Sequence, residues 1–266
     1  MADPFTIRLV LSFVTGFIWI TLLTILAERF GTKIGGAIAG IPATMVVALL
    51  FIGITQSSEI ASASTTVVPL VVGMNALFTV IYIFFARHTN LILSLAGSLA
   101  IWGILSFLLV LSNWSSFSWS IVGYIALVLI SYYFLEKRFN IKSQGKRALK
   151  YTAFQFLLRA FIGGSLIFLA VLMAKIGGPL LGGIFASFPA LTVALIIITR
   201  LHHEASYTEA LLKNFIIGGT INVVIFVAAV RYLYPVLGLA NGTIVSLAVS
   251  LVAFYLGYHL IIKKMI

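Results

Sequence analysis

GGAIAGIPA, residues 35–43, and GGIFASFPA, residues 182–190, are two versions of one motif. Gly35/Gly182, Gly36/Gly183, Ala39/Ala186, Pro42/Pro189 and Ala43/Ala190 coincide at a constant offset of 147 residues (189 − 42). The register runs backward through Gly16/Gly163, Ala27/Ala174 and Gly31/Gly178, and forward to Ala63/Ala210, Asn75/Asn222 and Val80/Val227. After a short insertion, Ser94-Leu-Ala matches Ser246-Leu-Ala and Ser98-Leu matches Ser250-Leu. Two apolar segments always look somewhat alike. An ungapped register that pairs Gly, Pro and Asn over this length marks an internal duplication.

The duplicated units are membrane units. Hydrophobic residues make up 62% of the chain and charged residues 9%, with mean hydropathy +1.18. A soluble domain carries about 25% charged residues, so this chain cannot cover a water-facing surface. Crossing about 30 Å of hydrocarbon takes roughly 20 apolar residues. On that rule the sequence predicts an all-α, polytopic membrane protein with nine transmembrane helices, at approximately 7–28, 34–54, 66–86, 91–111, 118–135, 153–174, 179–200, 211–230 and 239–262. The first run lacks a basic n-region and a cleavage site, and reads as a retained helix.

Glu136 to Lys150 is the one long hydrophilic stretch, with Lys137, Arg138, Lys142, Lys146, Arg147 and Lys150. It divides the chain into repeat 1 (1–112, spans one to four), a linker span with its basic loop (113–150) and repeat 2 (151–266, spans six to nine). Corresponding spans are five apart, an odd number, so the two four-helix repeats are expected to be inverted. Arg29, Lys33, Arg87, Arg200, Lys263 and Lys264 fall on the side of the basic linker, and only Arg8, Lys175 and Arg231 on the other. Lys and Arg favour the cytoplasmic side. The expected location is therefore the cell membrane, with the 136–150 loop and the C-terminus cytoplasmic and the N-terminus outside. The same bias accounts for the net charge of +11 without a nucleic-acid partner. The chain contains no cysteine, which excludes disulfides and thiolate chemistry.

Paired Gly/Pro interruptions in two halves point to a transporter site. Proline removes a backbone donor and frees a carbonyl, and irregular backbone persists at membrane depth only inside protein or beside a wet cavity. Pro42 and Pro189, each about eight residues (12 Å) into its span, are thus candidate substrate-site residues, with Gly35, Gly36, Gly40, Gly182 and Gly183 as broken-helix glycines. A kinked helix packed through small residues explains the same pattern and is compatible with it. Thr44 and Thr192 are placed to cap freed carbonyls or to meet a solute. Asn75 and Asn222 occupy equivalent mid-span positions, and an amide there needs partners. Each either fixes a neighbouring helix or joins a central polar site.

Glu28, Arg159, Glu209 and Lys213 are candidates for gating or anion attraction; solvated helix ends and snorkelling side chains are the plainer reading. His202, His203 and Glu204 cannot easily converge on one ion from a regular helix, so no metal is expected. No cofactor motif or catalytic set stands out.

The stretch LAERFGTKIGGAIAGIPATMVVALLF, residues 26–51, resembles GlpM-like small bacterial membrane proteins, which have about four helices and a Gly-rich segment leading to a Pro. The resemblance implies one such unit per half. The second half departs from it, with Lys175 in place of Glu28 and no second interior glycine before Pro189.

The expected function is transport of a small neutral or anionic solute through a midplane site between the repeats, by alternating access. A passive channel and a lipid-handling enzyme or scaffold are the alternatives. The expected partners are membrane lipids, the solute and, as a candidate, a second copy of the chain.

Overall fold

Where the sequence is apolar for about 20 residues, the chain is helical, and several helices begin where a polar side chain takes up a free backbone N–H. The computed structural model describes residues 3–29, 42–141, 152–202 and 204–257, and among these every regular element is a helix. The helices are α1 (Pro4–Arg29), α2 (Ala43–Thr55), α3 (Ser58–Ser64), α4 (Val68–Ala86), α5 (Leu91–Leu111), α6 (Phe117–Tyr133), α7 (Ala153–Ala186), α8 (Ala190–His202) and α9 (Ala205–Gly257). A π-helical turn, Phe134–Arg138, ends α6. Side-chain N-caps fix the starts. Ser57 accepts from Ile60 N, Asn90 from Leu93 N and Ser116 from Trp119 N, while Thr152 and Gln155 form a capping box.

α7 and α9 are each bent back on themselves. At Gly178 the backbone takes φ 78° and ψ −175°, and at Gly238 φ 73° and ψ 179°, a region open almost only to glycine. In a straight helix Ala174 and residue 182 would stand about 12 Å apart. Instead a Cβ at Gly182 would lie 2.6 Å from that of Ala174. Likewise Tyr234 Oη lies 2.8 Å from Thr243 Oγ1, nine residues further on. The chain reverses at both glycines, giving arms 153–177, 179–186, 205–237 and 239–257.

Among the described residues, six stretches are long and apolar enough to cross a membrane, and α2 is a shorter apolar helix. Ile18, Phe107, Leu129 and Phe161 are exposed, along with many other large apolar side chains. Exposed apolar surface on this scale needs an apolar solvent, and the chain is an integral membrane protein.

Two helix pairs organise the interior. α1 packs against the 153–177 arm and runs antiparallel to it, with Phe5 beneath Lys175 at one end and Phe13 edge-on to Phe161 nearer the middle. A Cβ at Gly16 would lie 2.5 Å from Ile167 Cδ1, and one at Gly163 would meet Ile20 Cδ1. Ile20 and Ile167 are themselves 147 residues apart, as Gly16 and Gly163 are. The contact is reciprocal, each glycine receiving the isoleucine of the other half. α4 packs against the 205–237 arm, also antiparallel, since Arg87 meets Glu209 at one end and Thr66 meets Arg231 at the other. α6 lies along α4, where Gly73 admits the backbone of Tyr124.

Candidate functional site

Pro189 decides the local structure of the second half. It has no N–H, so the carbonyl of Phe185 loses its helical donor and takes Phe188 N instead, at 3.2 Å. Ala190 N turns to Phe188 O at 2.7 Å, and α8 starts afresh with Val193 N on Pro189 O at 2.9 Å. The predicted span 179–200 is therefore two helices separated by Ser187, Phe188 and Pro189. Pro189 lies in that break rather than inside a kinked helix. Pro42 is similarly placed, as the buried N-cap of α2, with Val46 N donating to its carbonyl at 3.0 Å. Gly35, Gly36 and Gly40 lie outside the described residues.

The break leaves the Ser187 carbonyl without an in-helix donor. Asn75 Nδ2, from the other half of the chain, donates to it at 2.8 Å. Asn75 Oδ1 in turn accepts from Trp102 Nε1 of α5 at 2.8 Å. The indole packs edge-on to Phe188, with ring centroids 5.1 Å apart. Asn75 thus joins α4, α5 and the break, and its half-buried side chain keeps one donor and one acceptor site beyond these bonds.

Gly183 explains how the short 179–186 arm comes so close. A Cβ there would run into the carbonyl oxygen of Ser64 at the end of α3, so only glycine lets the two backbones meet. Gly182 stands over Ser64 Oγ and Ala174. Thr192 is buried on the first turn of α8 and Thr44 half-buried on that of α2; the Ser187 carbonyl is met by Asn75 and not by Thr192. Asn222 is fully buried on α9. Its repeat counterpart of the Ser187 position is Gly40 (187 − 147), outside the described residues.

The gating candidates divide. Glu209 is bound bidentately by Arg87, Nε to Oε1 at 3.1 Å and Nη2 to Oε2 at 2.6 Å. Its side chain is only 13% exposed, so it is not a solvated helix end. The hydrogen bonds that Arg87 donates to the Glu209 carboxylate hold its guanidinium protonated beyond its ordinary range. Lys213 is buried rather than snorkelling; it pairs with Glu136 and donates to Ile141 O at 2.7 Å. Arg159 is half-buried on α7, away from these pairs in sequence. Glu28 is on α1, and its side chain lies outside the described residues.

Trp102, Ser187, Arg87 and Glu136 belong to these constellations and were not among the site residues expected from the sequence. Ser187 carried a signal, since it sits inside the quoted motif between Gly183 and Pro189. Trp102 carried none, because tryptophan in an apolar span more often marks an interface belt. Elsewhere, an apolar groove between α1 and α7 is lined by Val10, Phe13, Ser165, Phe168 and Leu169. Among the described residues no three His, Asp or Glu side chains converge as a metal site would require.

A family model described as a protein of unknown function (DUF3147) matches residues 9–114 and again residues 156–263. The two matches begin 147 residues apart (156 − 9), the offset of the paired motifs, which is consistent with an internal repeat. No curated protein and no solved structure matches the chain.

Proposed function

The chain belongs to the DUF3147 family of proteins of unknown function, and we propose that it is a transporter for a small neutral or anionic solute. Its plan is two inverted four-helix repeats joined by the linker helix α6. The resemblance of residues 26–51 to GlpM-like proteins fits one four-helix unit per half.

Nine crossings follow if α7 with α8, and α9, are divided at Gly178 and Gly238, and if the short α3 is not itself a crossing. The antiparallel packing of equivalent helices supports inversion. So does the reciprocal fit of Gly16 with Ile167 and Gly163 with Ile20, because reciprocal contacts are the signature of a two-fold relation. With the basic 136–150 loop cytoplasmic, the N-terminus is outside.

The observation that carries the transport reading is the bond from Asn75 to the Ser187 carbonyl. A helix interrupted within the membrane, with its freed backbone met by a polar side chain of the opposite repeat, is how carriers build midplane sites. Trp102 and Phe188 would give the solute an aromatic wall, and Asn75 its hydrogen bonds. Asn222 would be its pseudo-symmetric counterpart, and alternating access would rock one repeat against the other.

The experiment is flux in proteoliposomes, using urea and glycerol as neutral probes and lactate and phosphate as anionic ones. The expected result is saturable uptake of at least one probe, stimulated by the same probe on the far side and lost in Asn75→Ala. Ohmic conductance without counterflow would replace the carrier by a channel. No flux of any probe through folded protein would remove both readings.

A further inference from the structure

The seam between α4 and the 205–237 arm is clasped by an arginine at each end, and the two clasps differ in kind. At the linker end, Arg87 holds Glu209 bidentately, donates to Phe139 O at 3.3 Å and lies 4.8 Å above the Phe139 ring. Lys213, one turn along α9, pairs with Glu136 beside it. At the opposite end, Arg231 Nη1 donates to Thr66 Oγ1 at 2.8 Å, and its carbonyl accepts from Ser62 Oγ at 2.7 Å. Its guanidinium lies 4.8 Å above the Phe117 ring.

These are equivalent places in the two halves. Glu209 corresponds to Ser62 (209 − 62) and Lys213 to Thr66 (213 − 66), at the same offset of 147. The ring under each arginine comes from the linker, Phe117 at the start of α6 and Phe139 just past its end. Thr66 and Arg87 are separated by about 30 Å of helix, the thickness of the hydrocarbon layer. One clasp therefore stands at each membrane face, and α6 is the strut that touches both.

We propose that the two clasps are the gates of the pathway, with the linker-side gate locked by pairs of opposite charge and the opposite gate, which has no carboxylate in its clasp, held by single hydroxyl hydrogen bonds and the Phe117 ring. This rests on the transporter reading above. Parting the linker-side gate separates a bidentate carboxylate–guanidinium pair and the pair of buried Lys213 with Glu136. Parting the other breaks single bonds to Ser62 and Thr66. A guanidinium bonded bidentately to a carboxylate has two charge-assisted bonds to an opposite charge, whereas a guanidinium on one hydroxyl has a single bond to a neutral acceptor. The resting protein accordingly opens first to the face opposite the basic linker.

The absence of native cysteine makes the test direct. Ala61→Cys and Ala210→Cys, both at buried positions beside Ser62 and Glu209, report the two gates in nanodiscs through their rates of reaction with a charged maleimide. Ala61→Cys is expected to react faster. Glu209→Gln should speed Ala210→Cys on the order of tenfold, a size suited to a bidentate pair whose carboxylate is shielded from solvent, and leave Ala61→Cys no faster. The swap Arg87→Glu with Glu209→Arg should restore the slow rate, which a variant that had merely loosened the fold would not do. An Ala210→Cys rate unmoved by Glu209→Gln, or equal acceleration at both reporters, overturns the proposal. Flux in the same variants separates the two levels. Unmoved labelling with flux intact sinks only the gates, whereas the expected labelling pattern in a protein that moves no probe sinks the transport reading and with it the role of the clasps.

Discussion

Replacing Asn75 by alanine removes the side chain that donates a hydrogen bond to the helix break of the other half. Two bonds go at once, to Ser187 O and from Trp102 Nε1, each 2.8 Å long. Side-chain hydrogen bonds between membrane helices average about 0.6 kcal/mol and reach about 1.7. Leaving a buried donor or acceptor unmet costs about 1–3 kcal/mol each. Asn75 is half-buried rather than sealed, so water can relieve part of that penalty. The expected loss is about 2 kcal/mol of unfolding free energy in mixed micelles. Trp102→Phe keeps the ring against Phe188 and removes only the N–H. A double-mutant cycle between the two should then show coupling of about 1 kcal/mol, as touching residues in one network do. Asn75→Asp serves as a further control, since it retains an acceptor for Trp102 but offers the Ser187 carbonyl no amide donor. A cost below about 0.5 kcal/mol with additive single variants would refute the bridge and the site built on it.

Gly178→Ala and Gly238→Ala should each cost about 1–3 kcal/mol by forcing a side chain into a glycine-only backbone region, measured by the same unfolding. Gly183→Ala should cost about as much through overpacking, because its methyl meets the Ser64 carbonyl, which is backbone and cannot swing aside. Gly103→Ala, at a half-buried position with nothing within 4 Å of the added carbon, should leave stability unchanged or raised. In sealed right-side-out vesicles, Ser115→Cys should react with an impermeant maleimide and Lys137→Cys should not. Reaction of both from one side would refute the single crossing by α6.

The apolar spans were legible because length and hydropathy alone decide what can cross a bilayer. Gly16, Gly163, Gly178 and Gly183 were legible as repeat positions, though their separate uses were not. Gly178 turns the chain, Gly163 receives Ile20 and Gly183 admits a carbonyl, and sequence shows the same missing side chain each time. The proline motif located the interruption to within a few residues. It did not say that the freed carbonyl would be Ser187 or that Asn75 would meet it, because that depends on how α4 is docked across the repeat boundary. Glu209 read as a helix-end acid for the same reason. Its partner Arg87 is 122 residues away in sequence, and no periodicity joins them.

The unequal clasps have a consequence for how such a molecule can arise. Two identical chains lying antiparallel across a membrane must present the same chemistry to both compartments, since whatever one copy places on one face the other places on the opposite face. A mutation that adds a carboxylate to such a pair adds it twice. Once the two copies are encoded separately, Glu209 and Lys213 can stand where the other half keeps Ser62 and Thr66. On the inverted-repeat reading proposed above, an extra helix between them preserves the opposed orientations through a fusion. The directional preference proposed for the clasps would then be a property that duplication made available and that a symmetric pair lacks.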